Sequence, residues 1–403
     1  MTSSGPDSPE SDRDRFLACL IRIETVSQKR DREIKRLHGL LYGASAAQHL
    51  YRAWQVLRGN PHYRRKPDAA HVDPSTVEGW HDLVIEGLRV KFHQAALADN
   101  RGTGRVAREL FNQFKILAAA SSGTPATDAT PVHFFAAPHW GPATLPPRSC
   151  VVIHDTIPMV TPGYPEGQRA IFEHRCREVI GQADQLVTIS QSSADNIVRQ
   201  FKVPRGKLHV IPNGVTRLPV TPPSVPDLPA CPYLVYVGGG DSHKNLSVLF
   251  EALRRPETAG IHLVMVGENG FLRLVAEAYE IADRVRFLGR QDDAVVGHVI
   301  SRSLALVFPS LHEGFGLPPL EAALLGVPSI CSRRPAMTEL LADAAFFAEP
   351  DSPDEWAQHI HVITTSPPLR NAMAARAQSV AEKLQWSQTA RAYADTFKSM
   401  SPP

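Results

Sequence analysis

The chain has 403 residues, 43% of them hydrophobic and 21% charged, with a formal net charge of +2. This length and composition predict two globular domains with ordinary cores plus an additional segment, and the near-neutral balance gives no global field directed at nucleic acid. The five cysteines (Cys19, Cys150, Cys176, Cys231 and Cys331) are scattered and form no CxxC pair, which argues against a zinc site or a disulfide framework and for reduced thiols in a cytosolic protein.

Residues 1–12 read as a polar tail rich in Ser, Pro and acids, and MTSSGPDSPESDRDRF does not have the form of a signal peptide. No stretch has the apolar length of a bilayer span, so a cytoplasmic location is expected. Asp12 and Asp14 form one DxD in this tail and read as solvated charge, with no metal site expected. Next, Leu37, Leu40, Leu41, Ala44, Ala47, Leu50, Tyr51, Trp54 and Leu57 recur at helical spacing behind the basic stretch 29–36. This amphipathic helix would pack on the body of the protein, dock a partner, or lie on an inner-membrane surface. A Pro-rich linker over 58–74 follows. Residues 1–86 are therefore expected to be an extension.

From residue 87 the pattern alternates. LRVKFH, PVHFF, SCVVIHD, QLVTIS and KLHVI read as strands with helical stretches between them, which implies parallel βαβ units over 87–222. A second Pro-rich break covers 216–232. The alternation restarts with YLVYVGGG, IHLVMVGE, VRFLGR, LALVFPS and PSICS over 223–384, and an amphipathic helix is expected over 385–403. The fold class is thus α/β, with two doubly wound domains facing a cleft. Ligands of such sheets bind beyond the carboxyl ends of the strands.

Four loops fall at those ends. HEGFGLPPLEAALLGVP (312–328) places Gly314, Phe315, Gly316 and Leu317 just ahead of a helix, with Glu313 in the loop and Glu321 in the first helical turn. Backbone N–H groups at a helix start suit an anion, and carboxylates beside them suit hydroxyls. A ligand carrying both groups, such as a nucleotide sugar, fits this mixture; a dipole-favouring Glu321 and a solvated Glu313 are the plainer alternative. YVGGGDSHKNL (236–246) offers Gly238, Gly239 and Gly240 for close approach and Lys244 for a phosphate. DNRGTGRVARELF (99–111) places Gly102 and Gly104 before a helix, either as a second phosphate cap or as a tight turn. VVIHDTIP (151–158) puts His154 and Asp155 at a buried strand end, where a histidine is a candidate for contacting a reacting group.

Together these segments resemble the retaining GT-B glycosyltransferases of family 4 (group 1). Glu313 and Glu321 have the E-x7-E spacing, and VIPNGV, VGGGDSHKNL, VIHDTIP, LVTISQSS and DAAFFAEPDSPDEW follow in the same group's style. The resemblance covers about residues 87 to 400 and is strongest to bacterial mannosyltransferases of O-antigen and exopolysaccharide assembly. It implies a GT-B fold and a metal-independent hexosyl transfer with retention. The donor would be GDP-mannose, with a UDP-sugar as the nearest rival, and the acceptor a lipid-linked or growing saccharide. Glu321 would hold the ribose hydroxyls and Glu313 the donor-sugar hydroxyls. Gly314, Phe315, Gly316 and Leu317 would meet the diphosphate and sugar, and Lys244 would neutralise the diphosphate. His154 would contact the sugar near the reacting carbon, and Gly102 or Gly104 would approach the leaving phosphate, with Gly239 completing the donor site. His243 stands where many relatives carry Arg, and Gly239 where some do. A non-catalytic scaffold of the same fold and a sugar-nucleotide epimerase are the competing classes.

Overall fold

The computed structural model describes residues 77, 79–99, 101–121, 130–162, 164–220, 228–269 and 272–400. The expected tail, its DxD and the amphipathic helix lie outside the described residues. Two six-stranded sheets form the body.

The first sheet contains β1 (Trp80–Ile85), β2 (Leu88–His93), β3 (Val132–Phe135), β4 (Ser149–Val152), β5 (Gln185–Thr188) and β6 (Leu208–Val210), in sequential order. Only β1 runs antiparallel. It starts ahead of the expected boundary at residue 87, because Glu86 (φ +49°) and Gly87 (φ +83°) make a two-residue turn that folds WHDLVI back onto β2. Positive φ at both turn residues matches the twist of a tight hairpin. Helix α1 (Ala95–Ala98) and the long α2 (Gly102–Ala120) follow β2. Helices α3 (Ile157–Val160) and α4 (Glu166–Gln182) follow β4, and α5 (Gln191–Phe201) follows β5.

The second sheet contains β7 (Tyr233–Val237), β8 (His262–Val266), β9 (Val285–Gly289), β10 (Ala305–Phe308), β11 (Ser329–Ser332) and β12 (Phe346–Ala348). All its pairings are parallel and its order is β12-β11-β10-β7-β8-β9. Its strands are apolar on both faces because helices cover both. These are α6 (Ser247–Leu253), α7 (Leu272–Ala278), α8 (Asp293–Ser301), α9 (Leu317–Leu324), α10 (Pro335–Leu341), α11 (Pro353–Thr365) and α12 (Pro367–Ala381). The chain leaves β7 in one direction and β10 in the other. The crevice beyond their adjacent carboxyl ends is therefore the topological switch point, where doubly wound sheets bind ligands.

The last helix, α13 (Trp386–Ser399), does not stay with the second sheet. It crosses back and packs on α2. Tyr393 and Phe397 meet Phe134 with ring centroids 5.4 and 5.8 Å apart. Trp386 Nε1 donates to Thr216 Oγ1 at 3.0 Å, Thr389 Oγ1 to the Pro212 carbonyl at 2.8 Å, and Arg148 Nη2 to the Met400 carbonyl at 3.2 Å. The expected separate terminal helix is thus part of the first domain's wall. Cys150, Cys176, Cys231 and Cys331 are all free. Among the described residues no helix is long and apolar enough to cross a membrane.

Candidate functional site

The loops after β7 and β10 meet at the switch point. Lys244 closes a 3₁₀ turn (Ser242–Lys244) behind β7 and its Nζ stands 2.6 Å from Glu313 Oε1 in the β10 loop. Both side chains are largely buried. The two loops are fastened to each other: Leu311 N donates to the His243 carbonyl at 2.7 Å. Asn245, in the left-handed region at φ +52°, donates through Nδ2 to the carbonyls of Pro309 (3.2 Å) and Pro350 (2.7 Å). Asparagine tolerates this conformation better than most residues, so it serves as the strap behind Lys244. Burial opposes ionisation of Glu313, but the Lys244 ammonium beside it outweighs this and holds the carboxyl below its usual range. Burial and the adjacent ammonium push His243 down to about 4, so near neutral pH its imidazole carries no charge.

Helix α9 begins at Leu317, with Gly316 as N-cap at φ +104° and prolines in the first turn, where a missing N–H costs nothing. A Cβ at Gly316 would fall 2.4 Å from the Met337 methyl, so the position requires glycine on two grounds. Gly326 at φ +73° ends the helix: its N–H reaches the Ala323 carbonyl at 3.0 Å and that of Val327 the Ala322 carbonyl at 2.9 Å. Glu321 lies in the second turn, not the first. The helix starts at Leu317 itself, earlier than the prolines alone suggest. Its carboxylate is only 3% exposed and stands 2.8 Å from Arg105 Nη1, across the cleft on α2. Burial pushes Glu321 up to about 7. Arg105 opposes this, and Asp293 and Glu109 add to it.

The first domain supplies the opposite wall. Gly102 and Gly104 separate in role. A Cβ at Gly104 would lie 1.9 Å from the Asp99 carbonyl oxygen, so this glycine serves close packing. Gly102 opens α2 with nothing within 4 Å of its Cβ position and remains accessible to a ligand. Asp99 ties the turn, accepting from Arg101 N (2.9 Å), Arg101 Nε (3.0 Å) and Thr103 Oγ1 (2.9 Å). His154 is buried, and its Nε2–H donates to the Ala136 carbonyl at 2.8 Å. Burial holds it below its ordinary pKa. Its ring is therefore committed to the domain interior. The groups from this strand end that meet the second domain are the His154 carbonyl and the Asp155 side chain, whose oxygens would lie 3.1 and 3.2 Å from a Cβ at Gly314. Burial pushes Asp155 up to about 6; Ile157 N and Lys244 oppose this, and Glu313 adds to it.

Helix α5 clamps the E-x7-E loop from the same wall. Ser190, its N-cap, accepts from Ser193 N at 3.1 Å and donates to the Gly314 carbonyl at 2.7 Å. Glu339 of α10 crosses between domains and accepts from Gln191 N (2.7 Å) and Ser192 N (2.8 Å), satisfying the open end of α5. Phe315 is buried between these supports. Gly239 sits beside Asp241 and accepts a 2.6 Å bond from Tyr236 on its carbonyl. Sequence reasoning missed Arg105, Ser190, Asn245 and Glu339, and placed Asp155 at its strand end without giving it a role. Only Arg105, four residues after Arg101 in a glycine-rich turn, carried a local hint.

Residues 86–217 match the Glycosyltransferase Family 4 domain and residues 229–380 match Glycosyl transferases group 1. Among curated relatives, O-antigen chain mannosyltransferase B of Escherichia coli is 28% identical over 61% of this chain and 70% of its own length. O-antigen chain mannosyltransferase RfbU of Salmonella typhimurium is 26% identical over 54% of this chain. The match spans 61% of that relative, less than two thirds of its length. The crystal structure of WaaG, a glycosyltransferase involved in lipopolysaccharide biosynthesis, superposes with a TM-score of 0.51 at 18% identity, over 75% of this chain and 85% of that one. Two parallel sheets with a shared crevice, the paired Lys244 and Glu313 and the buried Glu321 agree with these matches: the chain belongs to the GT-B glycosyltransferases of family 4, group 1.

Proposed function

We propose that this chain transfers a hexosyl group from a nucleotide sugar to a saccharide acceptor, with retention of configuration and without a metal ion. The donor in this reading is GDP-mannose and the acceptor a lipid-linked or growing saccharide of a surface polysaccharide; the O-antigen mannosyltransferase names of the relatives support the sugar and the polymer class. The observation that carries the reading is the placement of Glu313 and Glu321 on either side of the α9 N-terminus, at the switch point of the second sheet.

In this reading the diphosphate rests at the start of α9, where N–H groups of the Gly316 turn and the helix dipole favour negative charge. Lys244 supplies a full charge as the leaving group departs, the electrostatic role that a divalent cation fills elsewhere. Glu313, ionised beside Lys244, accepts hydrogen bonds from donor-sugar hydroxyls, and Glu321 does so from the ribose. Gly102 lets the first domain's backbone approach the leaving phosphate. The acceptor hydroxyl attacks the anomeric carbon on the face that the nucleotide leaves. Its proton passes to a departing phosphate oxygen, so the new glycosidic bond forms as the sugar–phosphate bond breaks. His154, held by Ala136, acts on the sugar through its main chain, and Asp155 is the carboxyl beside the reacting sugar.

The test is thermal unfolding with GDP, UDP, ADP and their common sugar conjugates, each at high excess. A ligand at ~100 times its dissociation constant adds ~2.7 kcal/mol to the folded state. A shift with guanine nucleotides alone supports the GDP-mannose reading, and a shift with uridine nucleotides alone replaces it by the UDP-sugar reading. No shift in folded protein favours a non-catalytic scaffold, for which the ring orientation of His154 and the uncharged His243 are the specific observations. EDTA leaves transfer unchanged if no metal takes part.

A further inference from the structure

The β7 loop brings little free positive charge to the phosphate end of this site. Of the β7 loop, His243 is uncharged near neutral pH and Lys244 is already engaged by Glu313 at 2.6 Å. A nucleoside diphosphate brings at least two negative charges. A full cation that the opposite wall brings to α9 itself is Arg105. It lies in the first turn and a half of α2, 29% exposed, with Nη1 2.8 Å from Glu321 Oε1 and Nη2 3.8 Å from Asp293 Oδ2. Glu321 is four residues beyond Leu317 on α9, so the start of that helix is ~6 Å further along its axis. An arginine side chain spans that distance by rotamer changes alone. Its planar fork also suits a phosphate as well as a carboxylate.

We propose that Arg105 is a donor-binding residue that changes partner: it neutralises Glu321 as seen here, and ribose hydroxyls arriving at that carboxylate release its guanidinium to the diphosphate one helical turn away. The inference rests on the nucleotide-sugar reading above. It assigns the site's second phosphate cation to the first domain, so binding of the diphosphate bridges the two domains through one side chain. Asp293 favours the exchange in one direction only. At 62% exposure it holds Arg105 weakly, leaving Glu321 as the partner that must be satisfied first.

The test is calorimetric titration of wild type, R105Q and R105K with GDP, GMP and guanosine, and with the uridine series in parallel. The quantity read is the ratio of diphosphate to nucleoside affinity. In R105Q it is expected to fall by about ten-fold or more, the scale of one charge-assisted contact, while nucleoside affinity stays within about three-fold of wild type. R105K should lie between the two, and it carries the test if R105Q does not fold. Equal weakening of diphosphate and nucleoside would mean that Arg105 only props Glu321; equal tightening would mean that it only blocks the site. Either result overturns the exchange while leaving nucleotide binding intact. No binding of any nucleotide by wild type overturns the donor reading itself, and this inference with it.

Discussion

The two carboxylates of the E-x7-E segment share one loop and helix but are held in different ways. Glu313 finds its cation within its own domain: Lys244, strapped by Asn245, stays beside it whatever the other domain does. Glu321 is the more deeply buried of the two and takes its cation from α2 of the opposite domain. The first arrangement fixes an ionised carboxylate in advance, which suits a group that must orient a sugar repeatedly in one geometry. The second makes the charge state of Glu321 depend on closure of the cleft. A buried ion pair contributes little net stability, because desolvation offsets the attraction, yet breaking one from a single side is costly. Under the proposed roles, the loop ahead of α9 is a rigid sugar end and the second turn of α9 an adjustable nucleotide end.

The largest expected effect breaks the rigid end. Lys244→Ala removes its cation and leaves Glu313 buried and unpaired. Transfer should fall by ~10²–10³ in kcat, as for the loss of one preorganised charge donor. A fall of less than ten-fold in a nucleotide-sugar transfer assay would separate Lys244 from the departing phosphate.

The adjustable end should show in pH. Folded Glu321 keeps its proton to about 7, above its unfolded value, so the folded state binds more protons over the window between ~4.3 and about 7. Its contribution is fully present below that window and is lost as pH rises through it. Relative to Glu321→Gln, wild type should lose up to ~3 kcal/mol of unfolding free energy between pH 4.5 and 7.5. Parallel stability curves for the two proteins would show that Arg105 holds the carboxyl ionised throughout.

Gly104→Ala sharpens the same end through the backbone. Its methyl would overlap the Asp99 carbonyl and displace the turn that aims Arg105. Denaturant unfolding should show a loss of ~1–3 kcal/mol, whereas Gly102→Ala, with open space around it, should stay within ~0.5 kcal/mol. A comparably small loss is expected for Ser190→Ala, which deletes the bond to Gly314 and the cap accepted from Ser193 N and should cost ~0.5–2 kcal/mol. Equal stability of that variant and wild type would mean that Ser193 and Glu339 carry the clamp without it.

What was legible in the sequence follows the range of the interactions. The parallel strands were readable because each is a short apolar run bounded by turn residues, and the end of α9 because Gly326 marks it locally, whereas the prolines set its start only to within a turn. The E-x7-E spacing, the glycine run and Lys244 were likewise local. Strand β1 was hidden because WHDLVI mixes His and Asp into a half-exposed edge strand, so the pattern registered only from β2 onward. The return of α13 to the first domain depends on Tyr393 and Phe397 meeting Phe134, which no local pattern encodes. The same holds for the pairing of Arg105 with Glu321 and for the cross-domain bonds of Glu339 and Ser190. His154 shows the same limit: the sequence places it at a strand end, but the carbonyl of Ala136, just past β3, decides where its ring points.

The most direct measurement of the account is a double cycle on Glu321 and the ribose. The affinities of GDP and 2′,3′-dideoxy-GDP would be compared in wild type and in Glu321→Gln, with the uridine pair substituted if thermal unfolding selects that base. Hydrogen bonds to a carboxylate are worth ~1.5–3 kcal/mol, so removing the hydroxyls should weaken wild type by ~10- to 100-fold and leave Glu321→Gln nearly unaffected. An equal loss in both proteins, or none in either, would contradict the placement of the ribose on Glu321 and the division of roles along α9.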